Sequence, residues 1–128
     1  MDALDAGGLT FALDLSKPLW EQVLRQIRGA VARQELKPGE KIPSLRYLAQ
    51  QLKINPNTVM RAYQELERDG LTETRRGQGT FITASQQKIT EARDLLAQEA
   101  IREFGSSMKA LGIDRPAASN LLEEVNWP

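Results

Sequence analysis

Only three residues, Lys53-Ile54-Asn55, separate two stretches that each carry helical periodicity. Upstream, Leu45, Leu48, Ala49 and Leu52 fall at i, i+3, i+4 and i+7, one apolar face of a short helix, with Ser44 as its N-cap. Downstream, Asn55-Pro56 opens a second helix. Asparagine caps it, and proline takes the first helical position, where its missing N–H costs nothing. This helix should run to Asp69, where Gly70 stops it. Two short helices joined by so tight a turn must pack on each other, and whatever precedes and follows has to complete their core.

The flanking sequence supplies that core. Pro18 opens an earlier helix in which Trp20, Leu24, Ile27 and Val31 form a stripe at i, i+4, i+7 and i+11. It should end near Gln34, because "LKPGEKIPS" (Leu36–Ser44) holds two prolines and a glycine. After Gly70, "LTETRRGQGTFIT" (Leu71–Thr83) places β-prone pieces on either side of Arg75-Arg76-Gly77-Gln78-Gly79, which predicts a β-hairpin. Three helices, a tight turn and a hairpin in this order predict a winged helix-turn-helix. Residues 1–16 are read as an N-terminal tail with a short extended piece at Phe11–Leu15. From Gln86 a long helix to about Leu111 is expected, with Leu96, Ala100, Ile101, Phe104, Met108 and Leu111 as its apolar surface. Gly112 should end it, and Asp114 should cap a last short helix. The fold class is mainly α with a small α+β element. The expected organisation is tail 1–16, winged helix-turn-helix 17–85 (motif about 45–64, wing about 71–83) and helical dimerisation region 86–128.

Composition narrows the function classes. The 128 residues carry 17 basic and 17 acidic side chains, so any basic surface must be local. Cysteine and histidine are both absent, which removes Ser-His and Cys-His nucleophile pairs and ordinary zinc sites. An enzyme is disfavoured, and no cofactor or metal is expected. Glu65/Glu67 and Glu123/Glu124 are read as solvated faces, since nothing desolvates or opposes them. The first sixteen residues contain three aspartates and no basic residue, which is no signal peptide. No apolar run approaches the roughly 18 residues of a membrane span. A soluble cytoplasmic protein without membrane contact is expected.

The helix after Asn55 carries the functional signal. On a wheel, Val59, Ala62, Tyr63 and Leu66 face the core, while Asn57, Arg61, Gln64 and Arg68 face away, with Thr58 at the N-terminal edge. Asn, Gln and Arg are the side chains that meet base edges bidentately. Ser44 and the amides after it make a helix N-terminus suited to phosphate, with Arg46 one turn in. In the hairpin, glycines at 77 and 79 allow close backbone approach, and Arg75, Arg76 and Gln78 surround them as in minor-groove contacts. A solvated helix face and a solvated turn are the plain alternatives for each piece taken alone. Gly77-Gln78-Gly79 is not a nucleotide-binding glycine motif, because it follows a helix and lacks a third glycine.

These residues match a known pattern. Leu36-x-Pro38-Gly39, Ile42-Pro43-Ser44-x-Arg46-x-Leu48-Ala49, Thr58-Val59, Leu66-Glu67-x-x-Gly70-Leu71 and Arg76-Gly77-x-Gly79-Thr80-Phe81 resemble the DNA-binding domain of GntR-family bacterial transcription regulators. With "KPLWEQVLRQI" (Lys17–Ile27), the resemblance covers about residues 11–85. Asn55-Pro56-Asn57-Thr58, Arg61-Ala62-Tyr63 and the short C-terminal part look like the YtrA subfamily. The resemblance implies a homodimer on a two-fold symmetric operator in double-stranded DNA, usually as a repressor, often of a transporter operon. It implies contacts from Arg46, from Asn55, Asn57 and Thr58, and from the wing glycines. Pro56 and Met60 stand where many relatives carry arginine, so those contacts do not transfer, and Arg61 could replace one. Lys53 stands where many relatives have glycine. A positive φ there would strain the turn by roughly 1 kcal/mol.

The apolar surface from Leu96 to Leu111 is more than one short helix can cover, which is why residues 86–128 are read as pairing two subunits. They should not enclose a pocket of about 300 Å³ within one subunit. Any small-molecule effector would then bind between subunits, and no residue points to one. The competing reading is a winged helix serving as a protein-interaction or RNA-binding module.

Overall fold

In the computed structural model, which describes residues 3–6 and 9–128 with side chains from Leu9 onward, the expected stripes of the first three helices are buried except for Trp20, Leu45 and Tyr63, which are half-buried against the core. Helix α1 (Leu19–Ala32) buries Val23, Leu24, Ile27, Ala30 and Val31. Helix α2 (Leu45–Leu52) buries Leu48, Ala49 and Leu52, and α3 (Pro56–Arg68) buries Val59, Ala62 and Leu66. The caps form as the residue types dictate. Ser44 Oγ accepts the Tyr47 N–H at 3.1 Å, and Asn55 Oδ1 accepts the Asn57 N–H at 2.8 Å. The Tyr63 hydroxyl donates to the Pro43 carbonyl at 2.7 Å and ties α3 to the entry of α2. An Arg28–Asp69 ion pair joins α1 to the end of α3.

The wing has one strand more than the hairpin predicted. Strand β4 (Thr72–Arg75) pairs antiparallel with β5 (Gly79–Ile82), and β5 pairs on its other edge with β3 (Lys41–Ile42), giving the order β3-β5-β4. The proline- and glycine-rich stretch before α2 therefore holds a two-residue strand that anchors the hairpin to the helices, with Ile42 and Ile82 both buried.

Residues 1–16 are not simply a tail. Strands β1 (Ala3–Ala6) and β2 (Leu9–Ala12) pair antiparallel, and Leu9, Phe11 and Leu13 enter the core, Phe11 with 1 % of its surface exposed. The extended piece thus starts two residues and ends three residues earlier than the sequence reading placed it. The physical reason is on α1. The Gln26 amide exchanges two hydrogen bonds with the Ala12 backbone at 2.9 and 2.6 Å, and the Gln22 amide does the same with Asp14 at 2.7 and 2.8 Å. Two glutamines spaced i, i+4 stand in for a neighbouring strand and satisfy backbone that would otherwise be unpaired.

The chain forms two compact units, Met1–Arg93 and Asp94–Pro128. Helix α4 (Gln86–Ala110) begins in the first, where Ile89 and Ala92 are buried. In the second unit α4 ends in a turn with Gly112 at φ +75°, and Asp114 caps α5 (Arg115–Glu124) by accepting the Ala117 N–H. Of the apolar surface expected on α4, Leu96, Phe104 and Met108 are half-buried, whereas Ala100, Ile101 and Leu111 are exposed, Ile101 at 66 % and Leu111 at 70 %. Beside the expectation that this part encloses no pocket of about 300 Å³ within one subunit, the structure has an open groove here. Helices α4 and α5 diverge around a groove of about 900 Å³, lined by Ile101, Phe104, Met108, Ile113, Ala118 and Leu122 among others. It is an open groove between two helices and not an enclosed cavity, which is how so short a segment provides it.

Candidate nucleic-acid interface

The short α2–α3 connection leaves one side of α3 buried to the limit and the other in solvent. Asn57, Met60, Gln64 and Arg68 are exposed on that side, and Thr58 is half-buried at the helix start. Asn57 and Gln64 make no side-chain hydrogen bond within the described residues, so their amides keep both donors and acceptors available. Asn55 uses its side-chain oxygen as the cap, which leaves only its amide donors for an outside partner. Arg68 pairs loosely with Glu65 at 3.4 Å, one turn back on its own helix.

Arg61 is exposed, as the wheel placed it, and it also contacts α1. Its guanidinium stacks over the Trp20 ring of α1, 3.8 Å from the centroid. A planar cation beside an indole gains about 0.5–1 kcal/mol by stacking. The N–H edge of a stacked guanidinium still points outward along its plane, so Arg61 is oriented by this contact and not consumed by it.

At α2, Ser44 caps and Arg46 is exposed in the first turn. Tyr47 follows with 44 % exposure, a polar-tipped ring that the helical pattern gave no reason to single out. In the wing, the Gln78 N–H donates to the Arg75 carbonyl at 2.9 Å and closes a turn with Gly77 at its third position, φ +76°. No heavy atom lies within 4 Å of where a Cβ of Gly77 would stand, so this glycine meets a conformational demand and leaves the tip bare. Gly79, at φ +121°, meets a conformational demand too, and a Cβ there would come within 2.7 Å of Cε on the flexible Lys41 side chain. Lys41 therefore lies across the base of the wing, a basic residue missed because strand β3 was missed. Arg75 is held by its own hairpin, 4.3 Å above the Phe81 ring and 3.7 Å from Glu73. Arg76 and Gln78 are exposed at the tip. Glu67, expected to be solvated, accepts the Thr74 N–H at 3.3 Å and braces the hairpin against α3.

Charge is local, as a neutral chain requires. The first unit holds 14 of the 17 basic residues with 11 acidic ones, and the second holds the other 3 with 6 acidic. Among the described residues no group of His, Cys, Asp and Glu could hold a metal, and no helix is long and apolar enough to cross a membrane.

A capped helix pair with a polar outward face, backed by a third helix and a three-stranded wing, defines a winged helix-turn-helix of the kind that reads DNA. The chain belongs to the bacterial regulatory proteins of the gntR family, whose family model matches residues 19–82. It is 47% identical over 100 residues to the uncharacterized HTH-type transcriptional regulator YhcF of Bacillus subtilis, covering 78% of this chain and 83% of that protein. It is 38% identical over 111 residues to the HTH-type transcriptional repressor YtrA of the same species, covering 87% and 81%. A solved GntR family transcriptional regulator from Listeria monocytogenes shares the fold with a TM-score of 0.80 and 32% identity, over 89% of this chain and 100% of that one. The resemblance to GntR regulators and their YtrA-like members is borne out. The family's members are DNA-binding transcription regulators and not enzymes.

Proposed function

We propose that this protein is a sequence-specific regulator of transcription that binds double-stranded DNA as a homodimer, at a two-fold symmetric operator, as a repressor. The observation that carries the reading is the two-sidedness of α3. Val59, Ala62 and Leu66 have no exposed surface, and Asn57, Gln64 and Arg68 stand opposite them in solvent. In this reading the start of α3 enters the major groove, where Asn57, Thr58 and Arg61 meet base edges. Ser44 with the α2 amides, Arg46 and Asn55 meet phosphates. The wing tip, Arg76-Gly77-Gln78 with Gly79, approaches a groove wall, and Arg75 supports it from the Phe81 ring. Residues 86–128 pair two subunits and set two recognition helices about 34 Å apart. The name of the YtrA relative supports repression. Tyr47 and Met60 are the exposed large side chains that would favour a protein partner instead, and they stand among polar and charged neighbours.

Selection from a random double-stranded pool at about 150 mM salt, followed by sequencing, tests this. The expected result is an enriched motif with two-fold symmetry. Weak, salt-sensitive binding without enrichment overturns the sequence-specific reading. An enriched but asymmetric site overturns the dimeric one alone.

A further inference from the structure

The groove between α4 and α5 has a charge pattern that its unit as a whole does not share. Residues 94–128 hold six acidic and three basic side chains. All three basic ones, Arg102, Lys109 and Arg115, line the groove, and of the acidic ones only Asp114 does. Asp114 is already engaged there as the N-cap of α5. The apolar walls include Phe104, Met108, Ile113 and Leu122. Such a groove suits a segment that brings an aromatic ring together with carboxylates.

The same chain carries one. Glu123-Glu124-Val125-Asn126-Trp127 ends α5 and continues as extended backbone from Val125, at φ −75° and ψ 140°. Val125 is 54 % exposed and Trp127 77 %. The segment therefore does not fill the groove of its own subunit, which its near neighbour Leu122 lines. A tryptophan buries about 150–250 Å² when it finds a site, the kind of anchor that dominates an interface. We propose that residues 123–127 of one copy seat in the α4–α5 groove of a second copy. Trp127 lies against the apolar wall, and Glu123 and Glu124 lie among Arg102, Lys109 and Arg115. Two-fold exchange fills both grooves with one contact used twice, as an isologous interface requires. The proposal rests on the homodimer of the preceding section and names the contact that holds it.

The chain has two tryptophans, so Trp20→Phe leaves Trp127 as the sole reporter. Its emission is followed on dilution while sedimentation gives the fraction dimeric. The expected result is a blue-shifted, quencher-protected indole in the dimer that becomes solvent-like in the monomer. In the otherwise unaltered chain, Trp127→Ala should weaken the dimer about tenfold or more. Lys109→Glu with Arg115→Glu should weaken it as well, and mixing that chain with one carrying Glu123→Lys and Glu124→Lys should restore association in the mixed pair. If Trp20→Phe does not fold, the Trp127→Ala sedimentation decides, since an exposed side chain carries none of the subunit's core. A dimer of unchanged affinity after Trp127→Ala, or one whose indole stays solvent-like, overturns the exchange and leaves the dimer standing. A monomer at every concentration overturns the dimer, and the exchange with it.

Discussion

Four of the helices end in the same way, and the residue at the turn decides how easily. After α1, α2, α3 and α4 the chain closes with paired bonds to carbonyls five and three residues back: Glu35 and Gln34 on Ala30 and Val31, Ile54 and Lys53 on Ala49 and Gln50, Leu71 and Gly70 on Leu66 and Glu67, Ile113 and Gly112 on Met108 and Lys109. The pivot is glycine at 70 and 112 but Gln34 at φ +59° and Lys53 at φ +57°. A side chain in that region costs about 1–2 kcal/mol, from which the extra unfolded-state freedom of glycine subtracts about 0.5–1 kcal/mol. Lys53→Gly should therefore raise the melting temperature by a few degrees, read by circular dichroism, while Lys53→Ala should not. An unchanged or lower value for the glycine variant would refute the strain. Tyr63 gives a second effect at this scale. Burial holds its phenol above the usual 10.0, because the anion would lose its hydration. A group whose folded value is raised contributes stability that is complete below its unfolded value and lost as pH rises through it. Replacing Tyr63 with Phe should cost about 1 kcal/mol near neutral pH, where the Pro43 carbonyl loses its donor. That cost should shrink as pH climbs above 10.0, and urea denaturation across the range would show whether it does.

Elements were legible in the sequence where they carry their own signal and illegible where a neighbour supplies it. The α2–α3 pair was readable because Ser44, Asn55, Pro56 and Gly70 mark its ends and apolar spacing marks its face. Strand β3 was not, because two residues show no alternation and become a strand only by pairing with Phe81 and Thr80. Strand β2 was hidden for a related reason. The helix side pairs its end through side-chain amides, Gln26 with Ala12 and Gln22 with Asp14 just beyond the strand, and both look like any solvated helix residues until that backbone is beside them. In the interface, the exposed face of α3 was readable from periodicity, but the stacking of Arg61 depends on where α1 places Trp20, which no local pattern encodes. The hairpin of β1 and β2 gives the test at this scale. Phe11→Ala should destabilise the first unit by about 3–5 kcal/mol in urea, the cost of emptying a buried aromatic site. Gln26→Ala should cost less and loosen the amides of β2 toward hydrogen exchange first, because it unpairs backbone without opening a cavity. A loss below about 1 kcal/mol for Phe11→Ala would return residues 1–16 to the status of a tail.

For the whole molecule, a chain with zero net charge cannot rely on a diffuse basic surface to hold DNA, so affinity and specificity must come from few, separable contacts. Arg76 and Arg61 represent the two kinds. Arg76 stands exposed at the wing tip beside a glycine with open space around it, the place for a contact that ignores sequence. Arg76→Ala should weaken binding to operator and random DNA alike and reduce the salt slope by about 1. Arg61 is oriented by Trp20, so under the proposed function its N–H edge is the one held ready for a single base. Arg61→Ala should cost about 1–3 kcal/mol on the operator, relax the preference at one base pair in each half-site, and change random-DNA binding little. It should also lower folding stability by about 0.5–1 kcal/mol through the lost stack. Trp20→Leu separates the two effects, since it removes the stack and keeps the guanidinium. If stacking orients the reader, that variant binds the operator less selectively at unchanged salt slope. If Arg61→Ala loses equally on operator and random DNA, Arg61 reads no base, and specificity rests on Asn57, Thr58 and Gln64.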